Sequence, residues 1–184
     1  MVRTKVGRVT RAIKVMQRLA NIASNTIEIR FEVSAKIDDF VKGSESIVEN
    51  YNKHVKKFSE RFGKKIGKEI YDDNFKKNSD KYSVAIISNG ESIEAHYYEL
   101  RDKEVEKYKK YMERLEDVDV DLYYFNPFTQ EDFLGSKGIS PNDKRILQEC
   151  EFLVMPEEVI KKKEKDFEID FDDEDKPKTE ETKK

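Results

Sequence analysis

Between Ser34 and Phe62 the apolar residues Ile37, Phe40, Val41, Ile47, Val48, Tyr51, Val55, Phe58 and Phe62 follow one another mostly at steps of three and four. That spacing gathers them on one side of an α-helix, because 3.6 residues complete a turn. A helix of this length extends about 45 Å at 1.5 Å per residue, so the remaining elements must arrange themselves along it. Gly43 is its one weak point. Gly63 follows the last apolar residue where a C-terminal cap is expected, and Gly67 reinforces the stop. The stripe is wider and more aromatic than the two-in-seven seam of a free coiled coil, so the helix is expected to be the spine of a packed domain.

What packs on the spine is limited by composition. Charged residues make up 41% of the 184 and hydrophobic ones 36%, which leaves a thin core of the kind helical hairpins use. The length suits one domain, residues 1–160. Beyond Lys161 charge is dense and apolar content low, so residues 161–184 are expected to be a disordered charged tail. The 36 bases and 39 acids leave a net charge of -3, so no global field draws the chain to nucleic acid or to a membrane. No stretch has the h-region of a signal peptide or the apolar length of a membrane span, and a single cysteine, Cys150, cannot close an internal disulfide. These features lead to the expectation of an aqueous, reducing compartment, no membrane partner, and an inert, half-buried Cys150 thiol.

A first helix is expected over about Val9 to Ile22, with Val9, Ala12, Ile13, Met16, Leu19 and Ala20 inward. The following TIEIRFEV alternates like a strand and serves equally as an extended lead into the long helix. Asn89-Gly90 between two alternating runs predicts a β-hairpin at about 82–98, with Ile86 opposite Ile93, Val84 opposite Ala95 and Tyr82 opposite Tyr97. Its other face, with His96, is polar. Glu99 to Glu116 reads as a helix with Leu100, Tyr108, Met112 and Leu115 inward, and DVDVDLYYF as a second alternating run. Thr129 with Asp132 is expected to cap one turn ending at Gly135. Ser140, Pro141 and Asp143 open a closing helix through Ile146, Leu147, Cys150, Leu153 and Val154 that Pro156 ends. The fold class is therefore mainly α with a β-hairpin, α+β, built around one long helix.

Chemistry-bearing motifs are sparse. Asp117, Asp119 and Asp121 match the opening of a calcium loop, but the glycine and final glutamate positions hold Leu122 and Phe128. His54 and His96 lack partners at metal-ligand spacing, and no nucleotide-binding glycine motif or nucleophile elbow occurs. The expectation is no catalytic residues, no metal and no cofactor. Two charge-patterned segments stand out instead. Arg3, Lys5, Arg8, Arg11, Lys14 and Arg18 form a basic head with no acid before Glu28, suited to phosphates or to a partner protein. Near the other end, DFEIDFDDED alternates Phe167, Ile169 and Phe171 with acids including Asp172 and Asp173, a pattern suited to docking. It resembles the acidic tip of bacterial single-stranded DNA-binding proteins, though thirteen residues follow Phe171 and no OB-type run of strands precedes it.

The order of a short basic helix, TIEIRFEV, a long helix closing on ERFGKK, a hairpin, YYELRDKEVEKY and a closing SPNDKRILQECEFLV resembles a group of small uncharacterised, mostly helical proteins encoded by tailed bacteriophages. The likeness covers Val9 to Val154 and includes Arg61, Gly63, Leu100 and Leu147. The long hairpin, the aromatic segment Tyr123 to Phe128 and the acidic tail depart from it. The resemblance implies a viral setting in the host cytoplasm or the virion, and the group supplies no activity or catalytic residues to carry over. The leading expectation is thus a non-enzymatic phage protein that binds other proteins in virion assembly or as a virion component. A nucleic-acid-binding accessory protein using the basic head, and an inhibitor of a host defence protein, are the alternatives. Oligomeric state is open.

Overall fold

The structure is a computed structural model and describes residues 1–26, 28–89 and 92–154. In chain order it contains β1 (Val2–Lys5), α1 (Val6–Asn25), α2 (Phe31–Phe62), β2 (Gly63–Ile66), α3 (Lys68–Phe75), β3 (Tyr82–Asn89), β4 (Ser92–Leu100), α4 (Val105–Glu116), β5 (Asp119–Leu122), β6 (Phe128–Thr129), α5 (Pro141–Glu149) and β7 (Leu153–Val154). This is the expected α+β class on one long helix. No helix among the described residues is long and apolar enough to cross a membrane. The tail with Phe167, Ile169, Phe171, Asp172 and Asp173 lies outside the described residues.

The spine, α2, runs three residues further toward the N-terminus than the stripe from Ser34 indicates. Val33 is fully buried in phase with Ile37 and Phe40, whereas Phe31 is 85% exposed. Helical phase therefore prevails over the alternation of TIEIRFEV, and Phe31 is turned outward. Gly43 leaves the helix unbroken. A Cβ there would lie 3.2 Å from the Tyr123 carbonyl oxygen, so this glycine lets the chain cross close to the helix. Gly63 is not a left-handed cap: at φ -135° and ψ -170° it is extended and leads straight into β2.

Two apolar clusters lie along α2. Its N-terminal half packs Val33, Ile37 and Phe40 against the inward face of α1 and against Leu122, Phe125, Phe128, Leu147 and Phe152. Phe40 meets Phe125 and Phe152 edge-on, each at 5.0 Å between ring centres. The C-terminal half brings Val55 against Ala85 and Tyr98, with Tyr51, Met112 and Leu115 around them. There Ser83 donates to Ser59 at 2.9 Å, and Tyr108 joins the pair, so the hydroxyl groups of this seam satisfy one another.

The hairpin pairs Asn89 with Ser92, Ile86 with Ala95, Val84 with Tyr97 and Tyr82 with Glu99, two residues from the expected register. Asn89 thus belongs to the ladder. A shift of two keeps every side chain on its own face, but the apolar face is not the one that meets α2. Ser83, Ala85, His96, Tyr98 and Leu100 are buried, while Ile86 is 45% and Ile93 74% exposed. Small side chains allow the sheet to approach the helix. The outer face is partly covered by α3, whose Tyr71 lies 5.9 Å from Tyr82 and 5.0 Å from Tyr97 between ring centres.

Other boundaries differ from expectation as well: α1 runs from Val6 to Asn25, beyond Val9 and Ile22 at both ends. Glu99 and Leu100 continue β4, which pairs Leu100 with Gly63, so α4 begins only at Val105. The closing helix stops at Glu149, not near Pro156. Glu151 takes φ 63°, and the chain turns so that Phe152 enters the core and Leu153–Val154 pair parallel with Phe128–Thr129. At its start the expectation holds: Ser140 and Asp143 form a reciprocal capping box with Pro141 in the first turn. Thr129 likewise donates its backbone N–H to Asp132 at 2.7 Å ahead of a single turn, and Gly135 follows at φ 80°.

Candidate docking surfaces

The basic head is largely neutralised. Arg3 meets Asp119 at 3.2 Å, and Lys5 meets Asp119 at 2.9 Å and Asp117 at 3.3 Å, because β1 pairs antiparallel with β5 and lines bases up with acids. Hydrogen bonding from Lys5, then from Arg3, holds the Asp119 carboxyl below its usual range. Arg8 is paired with Glu151, and Arg18 with Asp143 at the start of α5. Arg11 donates to its own helix at Gly7, and Lys14 faces solvent. Four of the six bases therefore fasten the N-terminal segment to the body. Two of the spaced acids considered as a calcium loop, Asp117 and Asp119, supply the countercharges of Arg3 and Lys5; among the described residues no group of three or more potential ligands is placed to hold a metal ion.

Both histidines and the cysteine can be located. His54 is exposed on α2 beside Phe58. His96, expected on a polar face, is buried against α2, since that face turns inward. Its Nε2 lies 3.3 Å from Glu94 Oε1 without the alignment of a hydrogen bond. Cys150 is fully buried, and burial pushes its thiol up, away from thiolate chemistry.

A cleft of about 530 Å³ opens between α1, α2 and the tip of the hairpin. Ile13, Val41, Val48, Ile86, Ile87 and Ile93 give it an apolar interior, and Lys42, Glu45, Glu49 and Lys53 ring its mouth with mixed charge. Such a surface accepts apolar side chains of a partner and has no histidine or cysteine in its lining.

A second surface escaped the sequence reading. The octads HVKKFSER (54–61) and KYKKYMER (107–114) share Lys, Lys, Glu and Arg at the same four positions and an aromatic ring at a fifth. One lies on α2 and the other on α4. Phe62 faces Tyr108 at 6.5 Å, Phe58 faces Tyr111 at 5.1 Å and Tyr51 donates to Glu116 at 3.1 Å, so the helices run antiparallel with the octads side by side. An eight-residue motif that occurs only twice adds no period to either helix, so the sequence alone does not single it out.

Compared with protein-family models, with curated proteins and with solved structures, the chain matches none of them. The fold defines it as an α+β protein assembled on a single helical spine.

Proposed function

We propose that this protein works by binding other proteins rather than by catalysis, as a phage component that joins a virion or assists its assembly. The observation that carries this reading is the hairpin tip, where Ile86 and Ile93 stay exposed above an apolar cleft. An exposed apolar rim beside a concavity costs solubility unless a partner covers it, and the mixed charges around its mouth suit a protein surface. The phage setting rests on the resemblance in element order. The test is affinity purification of the tagged full chain from infected cells, with wild type and Ile93→Asp compared. A phage structural protein recovered with wild type and lost with the variant supports the reading. A chain found alone, in neither particles nor complexes, overturns it, and a host protein in place of a phage one would point to the host-defence alternative.

A further inference from the structure

We propose that the face formed by the two octads is a binding site for the phosphate backbone of nucleic acid, distinct from the protein-docking cleft. In a chain with 41% charged residues an octad can recur by composition alone. What gives this pair weight is placement. On α2, His54 and Arg61 stand four residues before and three after Phe58; on α4, Lys107 and Arg114 stand at the same offsets from Tyr111. Those offsets put each base beside its ring, and Lys57 and Lys110 extend the outer row. The antiparallel packing therefore sets bases along both walls of one shallow groove floored by Phe58 and Tyr111.

The countercharge pattern is the reverse of the basic head. Lys57, Arg61, Lys110 and Arg114 are exposed and have no carboxylate within ion-pairing distance among the described residues; Lys107 pairs with Glu104 at 3.2 Å. The repeated acids do not neutralise them: Glu60 accepts from the Tyr98 hydroxyl at 3.4 Å, and Glu113, three residues after Lys110, makes no ion pair among the described residues. Arg61 is held over the Phe62 and Tyr111 rings, at 5.3 and 5.7 Å, which orients its guanidinium without neutralising it.

Unneutralised like charges on adjacent helices repel and reduce stability, so their concentration here calls for an anionic partner. A row from residue 54 to 61 covers about 10 Å and the helices stand about 8–10 Å apart. That area spans a few phosphates. Phe58 and Tyr111 are half-buried between the helices, so they offer neither a stacking platform for bases nor an apolar wedge for a bilayer. The ligand is then read by charge, without sequence preference.

Anisotropy titrations of labelled duplex and single-stranded DNA with the full chain, over a series of salt concentrations, test this. With four contacts log K should fall against log salt with a slope of about -3.6 for duplex and about -2.8 for single strand. Lys57→Gln, Arg61→Gln, Lys110→Gln and Arg114→Gln combined should weaken low-salt binding at least about tenfold and remove most of that slope. Lys57→Gln with Lys110→Gln alone, which leaves the Arg61 ring contacts intact, should remove about half of it, and Lys14→Gln should leave it unchanged. Absence of binding at low salt, an unaltered slope in both combined variants, an equal loss with Lys14→Gln, or binding only to phosphatidylserine vesicles would overturn the proposal.

Discussion

Asp143 shows how one side chain can hold several elements. Its carboxylate accepts the Ser140 backbone N–H at 2.8 Å, completes the capping box of α5 and receives Arg18 from α1. Burial alone would raise its pKa, but the Ser140 hydroxyl and then Arg18 bring it below the usual 3.8. A carboxyl depressed in the folded state adds stability that is present above its unfolded value and lost as pH falls through the folded one. Asp143→Asn should therefore cost about 1–2 kcal/mol at neutral pH through the lost cap and ion pair. It should also flatten the loss of stability on the acid side of 3.8, measured by urea unfolding at a series of pH values. The capping box was legible in Ser140, Pro141 and Asp143, whereas Arg18, 125 residues away, was not. Gly63 makes the same point in reverse. It was read as a cap because glycine commonly ends helices, yet its role is contact: a Cβ would lie 2.7 Å from the Glu99 carbonyl oxygen.

At the scale of elements, periodicity located the helices and the hairpin but did not say which hairpin face would be buried. Tyr82, Val84, Ile86, Ile93 and Tyr97 make the more apolar face, and α2 instead takes the one with Ser83, Ala85 and Tyr98. The reason is distance, since Ala85 and the Ser59–Ser83 bond let the sheet lie close to the helix. Burial of Tyr98, and then the charge of Glu60, to which it donates at 3.4 Å, push its hydroxyl up to about 12. Ala85→Leu should overpack this contact and cost about 1–3 kcal/mol, while Ile93→Thr should stay within about 0.5 kcal/mol. Thermal unfolding of the two variants separates this arrangement from its mirror, in which Ile93 would be the costly site. The helix α3 was missed because its eight residues carry a single aromatic pair at i,i+4, Tyr71 and Phe75, too short a run to establish a period.

Across the whole molecule α2 joins two apolar clusters that share no residue. A rigid helix through both couples them, because unfolding either half exposes the inner face of a continuous segment. Phe40→Ala, at the centre of the first cluster, should cost about 3–5 kcal/mol. Phe31→Ala, nine residues earlier on the same helix, should change stability by under about 0.5 kcal/mol. Urea unfolding followed by far-ultraviolet circular dichroism and by tyrosine fluorescence should give coincident transitions for Phe40→Ala. A separate tyrosine transition would show the second cluster, with Tyr51 and Tyr98, standing without the first.

The sequence alone determined the spine, its inward stripe, the existence of the hairpin and the opening of the last helix, because each depends on spacing within a few turns of chain. Only the tertiary structure decided the fate of the charges. Arg3, Lys5, Arg8 and Arg18, which read as an open basic head, find carboxylates more than 100 residues away, whereas Lys57, Arg61, Lys110 and Arg114, from two octads 53 residues apart, come together with none in ion-pairing distance among the described residues. A charge acts at a distance in space, and separation along the chain does not reveal it. The basic surface therefore moved from the N-terminus to the groove beside the C-terminal half of the helix from which the reading began.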